Sequence, residues 1–263
     1  MSKIIKKILL VTKGIRYFFD PITFKFTNNS KNLIKLKDSL KGKPILIVAN
    51  GPSLNKTPLS KFRTIYSIGL NKINLIFNKT QWRPNIVITT NSLVVWQHWK
   101  SMKDTQIPHY LSWNARWVMP IRARHFFNFF LNNKDKEFQK DISLSVGAAG
   151  SVTYAALQFA YYTGASPVII VGLDHNFRHT GSPLDYQKSV GNDVNHFDPN
   201  YFADGQFWGI PDLEASEIGF EKAKKIFEAD GREILDATID GKLEIFNKIS
   251  IEEAIDIISN KPD

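Results

Sequence analysis

Four short apolar runs along the chain each end in polar residues. Ile45-Leu46-Ile47-Val48-Ala49 gives way to Asn50-Gly51-Pro52-Ser53-Leu54, and Thr64 to Leu70 stops at Asn71. Asn85 to Thr90 stops at Asn91, followed by Ser92, while Pro167 to Leu173 stops at Asp174, followed by His175 and Asn176. A continuous apolar run bounded by turn residues predicts a strand buried on both faces, as in a parallel sheet covered by helices. Between these runs the periodicity changes. Ser92 to Met102, Pro120 to Leu131 (with the stripe Ile121, Phe126, Phe127 and Phe130), Val152 to Tyr162, Leu213 to Ala229 and Ile251 to Ile258 read as helices. Pro108 to Trp113 and Arg232 to Leu235 read as further strands. Strand and helix signals in alternation predict an α/β, Rossmann-like, mainly parallel sheet with helices on both faces.

In such a sheet the carboxyl ends of the strands line the ligand crevice. The polar endings are therefore the first candidates for a binding site: Asn50, Gly51, Pro52 and Ser53 after one strand, Asn71 after the next, Asn91 and Ser92 after the third, and Asp174 after the fourth. Each amide alone reads as a turn-former or helix cap. Four such endings in one context point to a shared polar crevice. Side-chain amides both donate and accept, which suits a nucleobase, a ribose or a sugar better than a bare metal ion. Gly150 and Ser151 precede the helix from Val152, and a helix N-terminus beside a glycine is a seat for phosphate; the alternative is Ser151 as a simple cap.

Residues 176–211 break the pattern. They hold Gly181, Gly191, Gly205 and Gly209 with Pro183, Pro199 and Pro211, and also Tyr186, His196, Phe197, Tyr201, Phe202, Phe207 and Trp208. A connection this long in a compact domain is usually a lid or a binding loop. Its aromatics either close over a substrate or anchor the loop to the core. Within it, His196 in Asn195-His196-Phe197-Asp198 is placed to abstract a hydroxyl proton, an imidazole task near neutral pH; the alternative is a loop histidine fixed by Asp193 or Asp198. His175 and His179 are four apart but lack the intervening Glu of a zinc-protease helix. His98, His109 and His125 fall in helix or strand patterns and read as structural.

Composition narrows the classes. With 263 residues, 43% hydrophobic and 13% aromatic, the chain is long enough to bury about three quarters of its unfolded surface in one domain. It has no cysteine, which removes disulfides, thiolate zinc sites and a Cys nucleophile. There is no Gly-x-x-x-x-Gly-Lys-Ser/Thr, no Gly-x-Gly-x-x-Gly after a strand, and no Asp-x-Asp pair to hold a divalent ion against a nucleotide diphosphate. These readings predict a metal-independent site with no cofactor. The net charge of +9 is concentrated: residues 1–43 carry eleven Lys or Arg against Asp20 and Asp38, a surplus of nine. The rest is neutral, which argues against a nucleic-acid groove. Within the arm, Ile4, Ile8, Val11, Ile15 and Phe18 recur at helical spacing opposite Lys6, Lys13 and Arg16. That is the pattern of a basic amphipathic helix on the anionic inner face of a membrane, with residues 1–20 as the contact. It is too short in apolar residues for a span of ~20 or for a signal-peptide core of ~7–15. Packing on its own domain, or on a second subunit in a homo-oligomer, is the alternative. The division expected is an arm over 1–42, with a flexible joint at Asn28-Asn29-Ser30-Lys31-Asn32, and a domain over 43–263.

Together, Asn50-Gly51-Pro52-Ser53-Leu54 and Gly164-Ala165 to Gly172-Leu173-Asp174-His175 resemble the MptE-like domain family. That family is named for an archaeal 6-hydroxymethylpterin diphosphokinase and includes the core of the Maf flagellin glycosyltransferases and proteins of surface-polysaccharide loci. The motif order is also similar to that of the bacterial lipooligosaccharide sialyltransferases. There a Gly-x-Gly-Pro-Ser-Leu loop, an Asn, an Asn-Pro-Ser and a Ser-Gly helix start surround CMP-sialic acid; here these correspond to Asn50 to Leu54, Asn71, Asn91-Ser92 and Gly150-Ser151. Asn195-His196-Phe197 with Tyr201-Phe202, and Asp236-Ala237-Thr238 with Gly241 to Phe246, resemble the polysaccharide branch. The resemblance implies a cytoplasmic glycosyltransferase of surface-polysaccharide synthesis that inverts a nucleotide-activated sugar, with a CMP-nonulosonate as the candidate donor and a glycan as acceptor. His196 would activate the acceptor, with His175 as the next candidate. The sialyltransferase tyrosine two residues after the strand-end Asp is replaced by Asn176, leaving Tyr186 or Tyr201 for the leaving phosphate. Two alternatives stand beside it: an ATP- and magnesium-dependent pyrophosphokinase acting on a hydroxymethylpterin, and a non-catalytic nucleotide-binding scaffold.

Overall fold

The computed structural model describes residues 19–119, 124–132, 136–178, 181–183 and 185–259. The amphipathic segment over residues 4–18 lies outside them. Helix α1 (Asn28–Ile34) is followed by strands β1 (Ile45–Val48), β2 (Tyr66–Leu70) and β3 (Ile86–Thr89), helix α2 (Ser92–Asp104), and strands β4 (His109–Ser112) and β5 (Phe126–Phe129). Then come β6 (Leu131–Asn132), β7 (Val146–Gly147), helix α3 (Val152–Tyr162), β8 (Val168–Val171), β9 (Tyr186–Lys188), β10 (Phe207–Gly209), helix α4 (Leu213–Ala229), β11 (Ile234–Asp236), β12 (Asn247–Lys248) and helix α5 (Ile251–Ser259).

Eight strands form one sheet in the order β12-β11-β8-β1-β2-β3-β4-β5. Every neighbouring pair in it runs parallel. The chain steps outward from β1 to β5, then returns to lay β8 on the other side of β1, so the direction of winding reverses between those two strands. Ligand crevices open at such a reversal, beyond the carboxyl ends of the strands.

The four apolar runs are the central strands because both faces of the sheet are covered. Ile45 and Ile47 join a core with α3, Phe220 and Phe227, whereas Leu46 and Val48 join a second core with Val87, Ile169 and α5. Alternation along one strand thus feeds two layers, and the strand shows no polar face. Helix α3 is buried nearly all round, which explains its apolar sequence. Its one long polar side chain, Gln158, is fully buried and fully employed: it accepts from the amides of Gly147 (2.8 Å) and Gln139 (3.0 Å) and donates to the Gly147 carbonyl (3.0 Å).

Two expectations are corrected. The helix expected over Pro120 to Leu131 is not formed by its described part, because Phe126–Phe129 is strand β5. The run His125 to Phe130 is rich in aromatics, which favour a pleated surface, and the sheet offers cross-strand partners on both faces. Phe127 stacks on Tyr110 with centroids 5.2 Å apart, and Phe126 meets His109 edge-on at 5.6 Å.

The flexible joint expected at 28–32 is instead the body of α1. Thr27 caps it, accepting from the Ser30 amide at 3.2 Å. Asn29 accepts from the Asn128 amide at 3.1 Å, so α1 covers the edge strand β5. Phe24 (0% exposed) and Leu33 (1%) belong to the main core, and Asp20 pairs with Arg116 at 2.8 Å. Further on, the amides of Asp38, Leu40 and Gly42 donate to the carbonyls of Tyr162, Thr163 and Gly164, satisfying the open end of α3. From residue 19 onward, then, the basic segment is built into the fold. Among the described residues no helix is long and apolar enough to cross a membrane.

If α1 is part of the core, truncating its anchor destabilises the whole chain. Leu33→Ala is expected to cost about 2–5 kcal/mol, read as a lowered urea midpoint with an unchanged slope. A wild-type midpoint would mean that α1 is a loosely attached arm.

Candidate functional site

A cleft of about 750 Å³ opens at the carboxyl ends of β1, β2, β3 and β8. Asn50, Gly51, Asn71, Asn91, Ser92 and Asp174 line it from the strand ends, and Gly150 and Ser151 line it from the start of α3. His175, His196 and Tyr201 line it from the loop and lid. Pro52 and Ser53 do not. They lie on the short 3-10 helix Pro52–Asn55, with Ser53 6% exposed.

Ser53 has a different task. Its amide and hydroxyl donate to the two oxygens of the Asp174 carboxylate at 2.9 and 2.6 Å. The Gly51 amide donates to the Gly172 carbonyl at 2.8 Å. This double clasp ties the loop after β1 to the loop after β8, across the point where the winding reverses. Asp174 is therefore a loop-fixing carboxylate. Glycine is required at 51 by space: a Cβ there would lie 1.9 Å from Asp174 Oδ2.

The amides divide by environment. Asn91 caps α2, accepting from the Leu93 amide at 2.9 Å, so its cap role is realised, with Ser92 the first residue of the helix. Ser151 likewise caps α3, accepting from the Thr153 amide at 3.2 Å. Asn50 is 7% exposed, and its Oδ1, like that of Asn71, is buried without a hydrogen-bond partner among the described residues. A buried carbonyl oxygen left unpaired is costly. Two of them at the cleft wall fit a ligand that brings N–H or O–H donors, such as a base amino group or a ribose. Gly150 has φ +67°, and a Cβ on it would meet the Asp212 carbonyl oxygen at 2.9 Å. Of the charged groups in the lining, Asp212 caps α4 through the Ala215 amide (3.0 Å).

His175 has φ +52° and pairs with Glu217 of α4 at 2.8 Å. His196 is held in a different way. Its Nδ1 lies 2.8 Å from Asp193 Oδ2, and its ring stacks on Tyr201 with centroids 3.9 Å apart and planes within 2°. Asp193 also accepts from the amides of Asn195 (2.8 Å) and Phe202 (3.2 Å). Burial works against the Asp193 carboxylate, but the hydrogen bond and charge of His196 and those two amides outweigh it and hold its pKa below the usual value. A carboxylate that accepts at Nδ1 fixes the imidazole with its second nitrogen, Nε2, free to take a proton.

Tyr201, a catalytic candidate on sequence, is 1% exposed, with its hydroxyl 3.4 Å from the Lys72 amide, and burial raises its pKa. It supports His196 by stacking. Tyr186, the other candidate for the leaving phosphate, lies in the cleft lining and is 66% exposed. The inner lid aromatics Phe197, Tyr201 and Phe202 are part of the second core. The lid is thus anchored through its middle, and the antiparallel pair β9–β10 flanks that anchored segment, with Gln97 of α2 donating to the Phe207 carbonyl at 2.8 Å.

Lys72 was not legible as a site residue. It follows Asn71 and is fully buried, donating to the Tyr201 carbonyl and to Gln206 Oε1 (3.3 Å), with its ammonium 4.3 Å from the centroid of Phe202 and 4.9 Å from that of Tyr201. Burial lowers its pKa to about 7, partly opposed by Asp193. It pins the lid to the end of β2 beneath the His196–Asp193 pair. The signal in the sequence was a single charged residue within Ile68 to Ile76, a stretch whose other polar members are Asn71 and Asn74. Asn195 was likewise missed as a tether; its side chain accepts from the Arg178 amide (2.7 Å) and donates to the Arg178 carbonyl (3.0 Å).

A parallel sheet with a strand-end cleft, an anchored lid and a helix N-terminus facing the cleft defines a Rossmann-like α/β protein. Residues 23–180 match the family described as 6-hydroxymethylpterin diphosphokinase MptE-like, and the chain belongs to that family. Among solved structures, a Maf glycosyltransferase from Magnetospirillum magneticum AMB-1 is similar at 12% identity with a TM-score of 0.51. The match covers 88% of this chain and 38% of that one, a likeness of fold. No curated protein sequence matches the chain.

Gly51→Ala must displace the clasp, because the Gly172 carbonyl oxygen would also lie 2.8 Å from the new Cβ. We expect a loss of about 1–3 kcal/mol in stability, read as a lowered melting temperature and urea midpoint. An unaltered melting temperature would show that the loop adapts freely.

The second prediction of this site concerns pH. Unfolded, Lys72 keeps its proton up to about 10.5, whereas folded it loses it near 7. Between those values the unfolded state binds more protons, so this residue favours the folded state increasingly as pH rises. From about pH 7.5 to 9.5, wild type is expected to gain denaturation free energy relative to Lys72→Met. Parallel pH profiles for the two proteins would refute a depressed Lys72.

Proposed function

We propose that the protein is a glycosyltransferase that inverts a nucleotide-activated sugar onto an acceptor hydroxyl. The observation that carries this reading is His196 in the wall of the strand-end cleft, with its Nδ1 2.8 Å from Asp193 Oδ2 and its Nε2 without a hydrogen-bond partner among the described residues. The fold shared with a Maf glycosyltransferase supports it. In this scheme the nucleotide lies against Asn50 and Asn71, whose unpartnered oxygens receive its donors, and its phosphate lies at Gly150 and Ser151. His196 Nε2 takes the proton of the acceptor hydroxyl as its oxygen bonds to the anomeric carbon. The bond from that carbon to the phosphate oxygen breaks, and its electron pair leaves with the nucleotide. Asp193 keeps its own charge and stabilises the imidazolium. A CMP-nonulosonate is the donor we favour, on the order of the loop motifs. Transfer needs no metal in this reading, since the polar groups at the strand ends are mainly neutral amides, with Asp174 committed to Ser53, and the described residues hold no cluster of three His, Asp or Glu side chains.

The family description favours a second reading, an ATP-dependent pyrophosphokinase acting on a hydroxymethylpterin. That reaction would need magnesium to carry the diphosphate charge. Nucleotide titration with and without EDTA separates the two: CMP preference with full turnover in EDTA is the transferase outcome, and ATP binding that requires magnesium is the kinase outcome. His196→Ala is then expected to cut transfer by about 100- to 10,000-fold while CMP affinity barely changes. A folded His196→Ala protein with near wild-type turnover would remove His196 from the mechanism and leave His175 as the better candidate.

A further inference from the structure

The lid separates two hollows. The second, about 610 Å³, adjoins the first, and Phe177, Asn195, His196, Phe202 and Trp208 line both. None of the strand-end amides, nor Gly150 and Ser151, reaches the second. His196 therefore stands in a shared wall, with the elements suited to a nucleotide on one side only.

The chemistry of the second hollow is its own. The half-buried Trp208, stacked on the buried Phe202 at 6.1 Å with planes 26° apart, supplies the hollow's large aromatic group, of the kind that the faces of sugar rings cover. Gln187, Asn192 and Ser189 add neutral polar groups. Its charged members are Arg178, Lys188 and Asp193. Asp193 is already committed to His196, Asn195 and Phe202. Arg178 and Lys188 make no ion pair among the described residues; the Lys188 ammonium lies 5.4 Å from the centroid of Phe207. The balance is one cation, Arg178, in the lining of an aromatic and amide hollow and a second, the exposed Lys188, at its rim with the ammonium on the Phe207 side of the β9–β10 ribbon, with the proton-accepting imidazole at the boundary.

An inverting transfer sets a geometric condition. The acceptor oxygen must approach the anomeric carbon from the side opposite the leaving phosphate, while its proton faces the base. An acceptor in the same hollow as the nucleotide would compete with it for space; an acceptor in the adjoining one would not. We propose that the second hollow is the acceptor site, and that the acceptor presents an acidic sugar whose anionic group pairs with Arg178 and Lys188 while a hydroxyl reaches His196. This rests on the glycosyltransferase reading. Carboxylate and phosphate share the chemistry, since a guanidinium fork binds either in a bidentate manner.

The test uses the full chain and three probes that differ in charge: galacturonate, galactose 6-phosphate and galactose, followed by saturation-transfer NMR with and without saturating CMP. One or both acids are expected to bind roughly tenfold tighter than galactose, with CMP bound at the same time, and the tighter acid identifies the anion. In the double variant Arg178→Gln/Lys188→Gln the acids are expected to fall to the level of galactose while CMP affinity holds, because neither residue lines the first cleft. Acids that bind no tighter than galactose, that survive the double substitution, or that CMP displaces would overturn the proposal. Failure of the broader reading has another signature: no CMP or nucleotide-sugar binding in the first cleft, whatever the acids do in the second.

Discussion

The clasp between Asp174 and Ser53 is the contact on which the cleft depends. β1 and β8 are neighbours in the sheet, but the loops that leave them head toward opposite halves of the fold, and a crevice between diverging loops stays open and defined only if something fixes its edges. One carboxylate does so by accepting from both the amide and the hydroxyl of Ser53. Charge-assisted hydrogen bonds of this kind are shorter and stronger than neutral ones. Gly51 completes the arrangement because nothing larger leaves room for the carboxylate. Next to the clasp, Asn50 lines the cleft with its side-chain oxygen buried and without a partner among the described residues, and its backbone oxygen accepts from the Phe197 amide at 3.0 Å. Clasp, cleft wall and lid are thus linked within a few residues.

The lid is rigid where the chemistry needs rigidity. Phe197, Tyr201 and Phe202 are core residues in all but sequence position, and the buried Lys72 ties their backbone to the end of β2. A buried ammonium is expensive, and this one is sustained by carbonyl contacts, two aromatic faces and the nearby charge of Asp193. His196 gains a fixed ring plane from Tyr201 and a fixed tautomer from Asp193. Tyr186, Val190 and Phe207 are the exposed apolar members of this segment.

Much of the architecture was legible in the sequence because parallel central strands are apolar throughout, and no other element gives so short and continuous a signal. The termini of α3, α4 and α5 were also readable to within a residue or so, through Ser151 for α3 and the apolar spacing for all three. The errors have physical causes. Phe126, Phe127 and Phe130 fit a helical stripe as well as a strand, and only Tyr110 and His109 across the sheet decide between them. Asn28 to Asn32 has the composition of a loop, but Thr27 caps it, and Leu33 with the neighbouring Phe24 gives it a core to dock on.

The sequence by itself determined the run of buried strands, the polar residues at their ends and the aromatic lid, because these depend on local composition and short-range geometry. Only the tertiary structure decided what those residues do. Ser53 and Asp174 are 121 positions apart, and Lys72 and Tyr201 are 129 apart. No local pattern shows that the first pair is a clasp or that the second is a buried tether. The division of the lid region into two hollows with His196 in the wall between them is of the same kind. It arises from how a long loop folds back over the sheet, which the winding order sets and periodicity does not encode.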